Sequence, residues 1–208
     1  MLLNLLQLAD SALPVGGMAH SFGLESLVEL GFVTPDHLQR FLRDWLAEAG
    51  FLDAVYCAHA CAQPAEFAAL NLRLAARKPA RESREASAAM GRRLLDLARR
   101  AFQLEPPVAA EPQYACCFGY IAGALGIEAC MAVPAFLHQS AAASISAGQR
   151  LMPVGQTQGQ TILFHLKPQI RATAARALAA DLDAPSFTPL VEIASMSHQR
   201  LGTRLFIS

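Results

Sequence analysis

The stretch Thr34–Gly50, TPDHLQRFLRDWLAEAG, decides the fold class. Leu38, Phe41, Leu42, Trp45, Leu46 and Ala49 recur at the i, i+3, i+4, i+7, i+8, i+11 spacing that lines one face of an α-helix. The charged residues Arg40, Arg43, Asp44 and Glu48 fall outside that stripe. Ahead of it, Thr34 has the side chain of an N-cap, Pro35 suits a first turn and Asp36 complements the helix dipole. A helix is therefore expected from about residue 35 onward. Thr188-Pro189 repeats the start signal near the C-terminus, and Met90, Leu94, Leu95, Ala98 and Phe102 make a second stripe.

Breaks are expected at Pro14–Gly17, Gly31–Pro35, Pro64, Pro79, Glu105–Pro112, Pro153–Gly155, Pro168 and Asp183–Pro189. Between them no segment alternates with a period of two between hairpin turns, so strands are not expected. The consistent reading is an all-α protein, a single-domain bundle of about eight to ten helices spanning residues 1–208. Glu105–Pro112 (EPPVAAEP) reads as an exposed linker inside that domain. Gly119 and Gly123, four apart in GYIAGALG, point to close helix–helix contact in the core.

Hydrophobic residues make up 53% of the 208 and aromatics only 7%, so small apolar side chains must fill a large interior. The five cysteines are an odd number with no secreted-type framework, which with the lack of a leader predicts a reduced, cytoplasmic protein. Residues 112–127 and 129–149 carry no Asp, Glu, Lys or Arg. The first is too short to span a bilayer, and the second holds Pro134, His138, Gln139 and three serines, so both read as buried helices rather than membrane spans.

Charge is balanced overall but segregated. Residues 1–66 carry eight acids against Arg40 and Arg43, while residues 67–100 carry nine basic groups against Glu82, Glu85 and Asp96. No aromatic platform accompanies these arginines, so a solvated or protein-facing helix is favoured over nucleic acid binding. Phosphate-binding GxxxxGK[ST], GxGxxG, GxSxG and HExxH are all absent. Cys57 and Cys61 share a helix face, yet two thiols are at most half of a tetrahedral site, and core packing is the favoured role for them and for Cys116-Cys117. No catalytic residue, metal site or cofactor is expected. The alternative is a small helical enzyme built on His20, Cys57 or His198.

Three stretches stand apart from this pattern: LQLADSALPVGGMAHSFGLESLVELGFV (Leu6–Val33), AGQRLMPVGQTQGQTIL (Ala147–Leu163) with Arg84–Leu95 before it, and the ending IASMSHQRLGTRLFIS. In the first, Pro14 and Gly16-Gly17 form a loop that can expose His20 and Glu25, either as a recognition surface or as a plain structural turn. In the second, Gln156, Thr157, Gln158 and Gln160 make a neutral hydrogen-bonding cluster after Pro153 and Gly155.

Together, ALPVGG with HSFGLE, RLxPxGQTxGQ and a terminal RLFxS resemble the urease accessory protein family UreF over essentially the full length. That resemblance implies an all-helical homodimer that binds a second accessory protein, UreD or UreH. The pair recruits the GTPase UreG, and the assembly docks on apo-urease for nickel insertion. It also implies that the nucleotide sits on UreG and not on this chain. Carried over residue by residue, Arg150 matches a basic position near the UreG-facing surface, and Arg204 matches a terminal arginine associated with the ternary complex. His20, Glu25 and Gln156 match motif positions and complete the expected partner-binding set. Residues 195–208 resemble a flexible tail that becomes ordered against UreD/UreH. Met18, Ser197 and Ile207 depart from the residues the family commonly has there.

Overall fold

The computed structural model describes residues 1–208, and it contains helices and loops without a strand. Ten α-helices follow one another: α1 Leu2–Leu8, α2 Leu24–Glu29, α3 Leu38–Trp45, α4 Phe51–Ala62, α5 Phe67–Ala76, α6 Arg81–Ala101, α7 Tyr114–Ala124, α8 Ala129–Leu151, α9 Gln156–Ala179 and α10 Pro189–Ser197. The stripe in the opening stretch is real. Leu38, Leu42 and Leu46 are fully buried, and Phe41, Trp45 and Ala49 flank them half-buried.

Two boundaries differ from expectation. The helix begins at Leu38, because Thr34–His37 closes a turn of its own, with the Thr34 hydroxyl bonded to His37 rather than to a helix N–H. At its other end α3 does not stop but passes through one wide π-turn, Leu46–Gly50, into α4. Pro168, expected as a break, lies inside α9. It faces solvent, so its ring and the freed carbonyl four residues back meet water instead of a neighbouring helix.

Helix α4 is the axis of the bundle, packed on α7, α8 and α9. It is apolar around most of its circumference, which is how a helix buried on all sides reads. Gly119 and Gly123 of α7 lie directly against the backbone carbonyls of Cys57 and Cys61, where a Cβ would collide. Beside this seam Phe118 packs edge-on against both Tyr114 and Phe136, with Phe118 and Phe136 centroids 5.4 Å apart. One contiguous cluster of 49 buried apolar residues joins all of these helices. Cys57, Cys116 and Cys117 sit within it, and burial pushes each thiol up, away from the ionised form a nucleophile needs. No helix is long and apolar enough to cross a membrane.

The linker of residues 103–113 covers this core and is anchored where it ends. The Gln113 and Tyr114 amides donate to Asn71 Oδ1 and Ser87 Oγ at 2.5 and 3.1 Å, so side chains from α5 and α6 satisfy the first free N–H groups of α7. Most of the basic run is likewise spent internally. Arg77 donates to the Leu182 and Ala184 carbonyls, Lys78 pairs with Asp53 at 2.8 Å, and Arg100 pairs with Asp96 at 3.1 Å. The Arg77 contacts hold the segment after α9 against the body and direct the chain into α10.

Candidate interaction site

The Pro14–Gly17 loop owes its path to Gly16, whose φ of +77° is left-handed. The Arg93 guanidinium of α6 occupies the space a Cβ would need there. Gly23, at φ +86°, does the same at the start of α2, where a Cβ would lie 2.9 Å from the Val191 carbonyl and the Ser195 hydroxyl of α10. Two left-handed glycines thus bring the 14–25 segment beneath α10 and the tail that follows.

On this platform the chain end lies folded. His198, buried in a short 3₁₀ turn, donates from Nε2 to Glu25 Oε2 at 2.7 Å. Glu25 Oε1 accepts the Leu205 amide at 2.6 Å. Arg150, at the end of α8, donates from Nη1 to the Met18 carbonyl at 2.8 Å and from Nη2 to the Leu205 carbonyl at 3.2 Å. The same guanidinium stands 4.2 Å above the centre of the Phe206 ring. His20 Nδ1 and the Ser208 hydroxyl share a hydrogen bond of 2.8 Å, while the backbones of residues 19–21 and 207–208 exchange two more. Burial, and then the nearby Arg93 charge, lowers the pKa of His20 and favours its neutral form.

Three of the five residues singled out in the sequence therefore meet at one place, separated by up to 130 positions along the chain. They meet the tail of their own chain. His20 and Glu25, for which the sequence left an exposed recognition surface and a plain structural turn both open, are 7% and 5% accessible, with the tail bonded to both. Gln156 starts α9 and bonds the Gln149 amide at 3.4 Å; it lies with Met18 and His20 on the wall of a groove of about 530 Å³ rather than on the tail. Arg204, exposed like Arg150 and Gln156, lies between Glu25-bound Leu205 and the open Gly202-Thr203 turn, and its side chain makes no bond within the chain. His198, the anchor of the arrangement, was read from the sequence only as a conceivable enzyme residue. Arg93 carried no signal beyond its place in a basic run. Cys57, also named in that enzyme reading, is in the core, and burial pushes its thiol up, away from the ionised form.

A sequence model of the UreF family matches residues 33–167, more than half of the chain. Relatives named urease accessory protein UreF align over its whole length. The protein of Bradyrhizobium sp. (strain BTAi1 / ATCC BAA-1182) is 36% identical, covering 100% of this chain and 92% of its own. That of Microcystis aeruginosa is 37% identical, covering 100% and 97%, and that of Actinobacillus pleuropneumoniae is 34% identical, covering 98% and 97%. This chain belongs to the UreF family. Arg150 and Gln156 fall within the matched family region, whereas His20, Glu25, His198 and Arg204 lie outside it. The relatives carry the name of accessory proteins to urease.

Proposed function

We propose that the chain is an adaptor in nickel insertion into apo-urease, bridging UreD/UreH and the GTPase UreG and regulating GTP-dependent assembly of the metallocentre. In this reading it makes and breaks no bonds itself, holds no cofactor, and works in the cytoplasm as a homodimer. Nickel is the cargo of the assembly.

The observation that carries the reading is the surface around the docked tail. Met18, Leu205 and Ile207 are 54%, 53% and 69% accessible, large apolar side chains standing in water on the tail and the loop it docks on, and the tail also carries the exposed Arg204. Exposed apolar side chains on a segment that also carries a free arginine fit a protein partner that offers apolar surface and carboxylates. A second exposed apolar row, Leu190, Ile193 and Met196 on α10, adjoins it and suits the accessory protein, with the tail changing its packing as that partner arrives.

Co-expression with UreD/UreH and UreG tests this. The chain should copurify with both and support urease activation, and Arg204→Ala should weaken UreG capture by about 10- to 100-fold, an interface charge contact of about 1–3 kcal/mol. Wild-type ternary assembly by Arg204→Ala would refute the role given to the patch.

A further inference from the structure

We infer that Cys61 and Cys130 are a thiol pair that a low-molecular-weight disulfide converts into an internal disulfide, a covalent staple from α4 to α8 at the α7–α8 corner. The partner surface plays no part in it, because the tail is held at the opposite end of α8: from Cys130 to Arg150 the helix runs for about 30 Å. Of the five cysteines, Cys57, Cys116 and Cys117 are closed inside the core, while Cys61 is half-buried and Cys130 exposed. These two outer cysteines meet the same corner. Gly123 lies against the backbone of Cys61, so the end of α7 crosses the last turn of α4 in close contact. The chain then doubles back, with the Gly126 and Ile127 amides donating to the Gly123 and Ala122 carbonyls at 3.0 and 2.9 Å. That turn presents the Ile127 carbonyl to the Cys61 thiol, which donates to it at 3.3 Å. The next residue, Glu128, precedes α8, and its Oε2 accepts the Cys130 S–H at 3.5 Å.

Two thiols from distant parts of the chain are thus bonded to consecutive residues of one tight turn. Their nearness also shows in acidity: burial, and then charge on Cys130, raises the pKa of Cys61. Cys130 stands in water on the first turn of α8 and can leave Glu128 for another staggered rotamer. Exchange then takes two steps. Cys130 loses its proton and attacks one sulfur of glutathione disulfide; a mixed disulfide forms, and the glutathione thiolate that leaves takes up a proton. Cys61 next attacks the Cys130 sulfur of the mixed disulfide. The Cys61–Cys130 bond forms, and the second glutathione thiolate leaves and is protonated in turn. Both cysteines are oxidised, and one glutathione disulfide is reduced to two thiols. Glu128 restrains the first step, because its carboxylate accepts the S–H and holds the Cys130 pKa above the ordinary value, leaving little thiolate to attack. Once made, a bond between positions so far apart in sequence removes freedom from the unfolded chain and stabilises the fold.

The full-length chain tests it. Folded protein is incubated with glutathione disulfide, free thiols are blocked, and peptides are mapped by mass spectrometry without reduction. The expected product is a single chain in which the peptides holding Cys61 and Cys130 are joined and the three core cysteines are free. Its melting temperature should rise by about 5 °C or more and return to the starting value with dithiothreitol. Cys61→Ser should stop at the mixed disulfide, with glutathione left on Cys130. Glu128→Gln should speed the loss of free Cys130 thiol by about threefold or more, since the carboxylate that opposes its ionisation is gone.

Wild-type protein that ends with glutathione on Cys130 and a free Cys61 overturns the pair, and so do chains linked to one another through Cys130. A joined product that melts where the reduced chain does overturns the staple. An unchanged rate in Glu128→Gln overturns the restraint assigned to that carboxylate. Should Cys61→Ser fail to fold, the peptide map of the wild type decides alone.

Discussion

The α4–α7 seam and the C-terminal arm, residues 189–208, are held by opposite means. At the seam two glycines and a set of alanines let backbones touch, and aromatic and aliphatic side chains close around them without a polar bridge between the helices. On the arm Ala194 and Phe206 are the buried apolar residues, and the rest of the attachment is polar. Glu192 accepts the Ala80 amide at 2.8 Å, Ser83 bonds Ser195 at 3.0 Å, Gln199 donates to Glu82 at 2.9 Å, and Glu25 holds His198 and Leu205. Apolar burial is lost only when the whole core opens, whereas water can replace a hydrogen bond at modest net cost. One region is therefore built to stay shut and the other to open locally, the property expected of a segment that meets partners.

The largest effect should come from breaking the seam. Gly119→Ala places a methyl group against the Cys57 carbonyl, and backbone cannot swing aside as a side chain would. Urea unfolding should register a loss of about 3 kcal/mol, at the upper end of overpacking effects. Gly155→Ala is the matched control: its φ is −70° and nothing lies within 4 Å of an added Cβ, so stability should move by less than about 0.5 kcal/mol. Equal tolerance of the two substitutions would mean that α4 and α7 are not in backbone contact.

A middle-sized effect is expected on acidification, and on the arm alone. His20 has its pKa lowered below 6.5 by burial and by Arg93. The unfolded or released state therefore binds a proton more readily, and the stability His20 contributes falls as pH drops below 6.5. Exchange protection of residues 205–208, corrected for the intrinsic pH dependence, should decline between pH 7 and pH 5.5 by about threefold while α4 and α7 hold. A tail whose protection is flat across that range would show that the His20–Ser208 bond does not help to dock it.

How far each region could be read from the sequence follows from the same contrast. The core is written in side chains at regular spacing, so Leu38–Ala49, Met90–Phe102 and the Gly119–Gly123 pair announced buried faces and a close crossing before any fold was known. Helix ends were less legible. Thr34 has the chemistry of a cap but turns to His37, and Pro168, expected as a break, lies inside α9. The candidate site was half legible. His20, Glu25, Arg150 and Arg204 were found through motif resemblance, but not that three of them serve the tail. Glu25 reads the backbone amide of residue 205, and a backbone amide is the same in every residue, so no pattern of letters could announce that contact. Burial of His20 was hidden for the same reason: its cover comes from the opposite end of the chain.

The smallest effect concerns Glu192, and it separates two ways in which the arm could be held. Burial raises the pKa of its half-buried carboxyl above 4.5, with Asp53 acting in the same direction, while the Ala80 amide and Lys78 pull it down. For a carboxyl raised on folding, the favourable contribution is present below the unfolded value of 4.5 and is lost as pH rises through the folded value. At neutral pH its charge is thus a slight liability, and what it gives the arm is an acceptor for the Ala80 N–H. Glu192→Gln keeps that acceptor and removes the charge. Its unfolding free energy should match or exceed the wild type at pH 7 by less than about 0.5 kcal/mol, since the group is half in water. The two proteins should converge below pH 4.5, where the wild-type carboxyl is protonated as well. A variant that is instead less stable by about 1 kcal/mol at pH 7 would mean that attraction to Lys78 outweighs desolvation. The arm would then be fastened by ion pairing, and salt should release it.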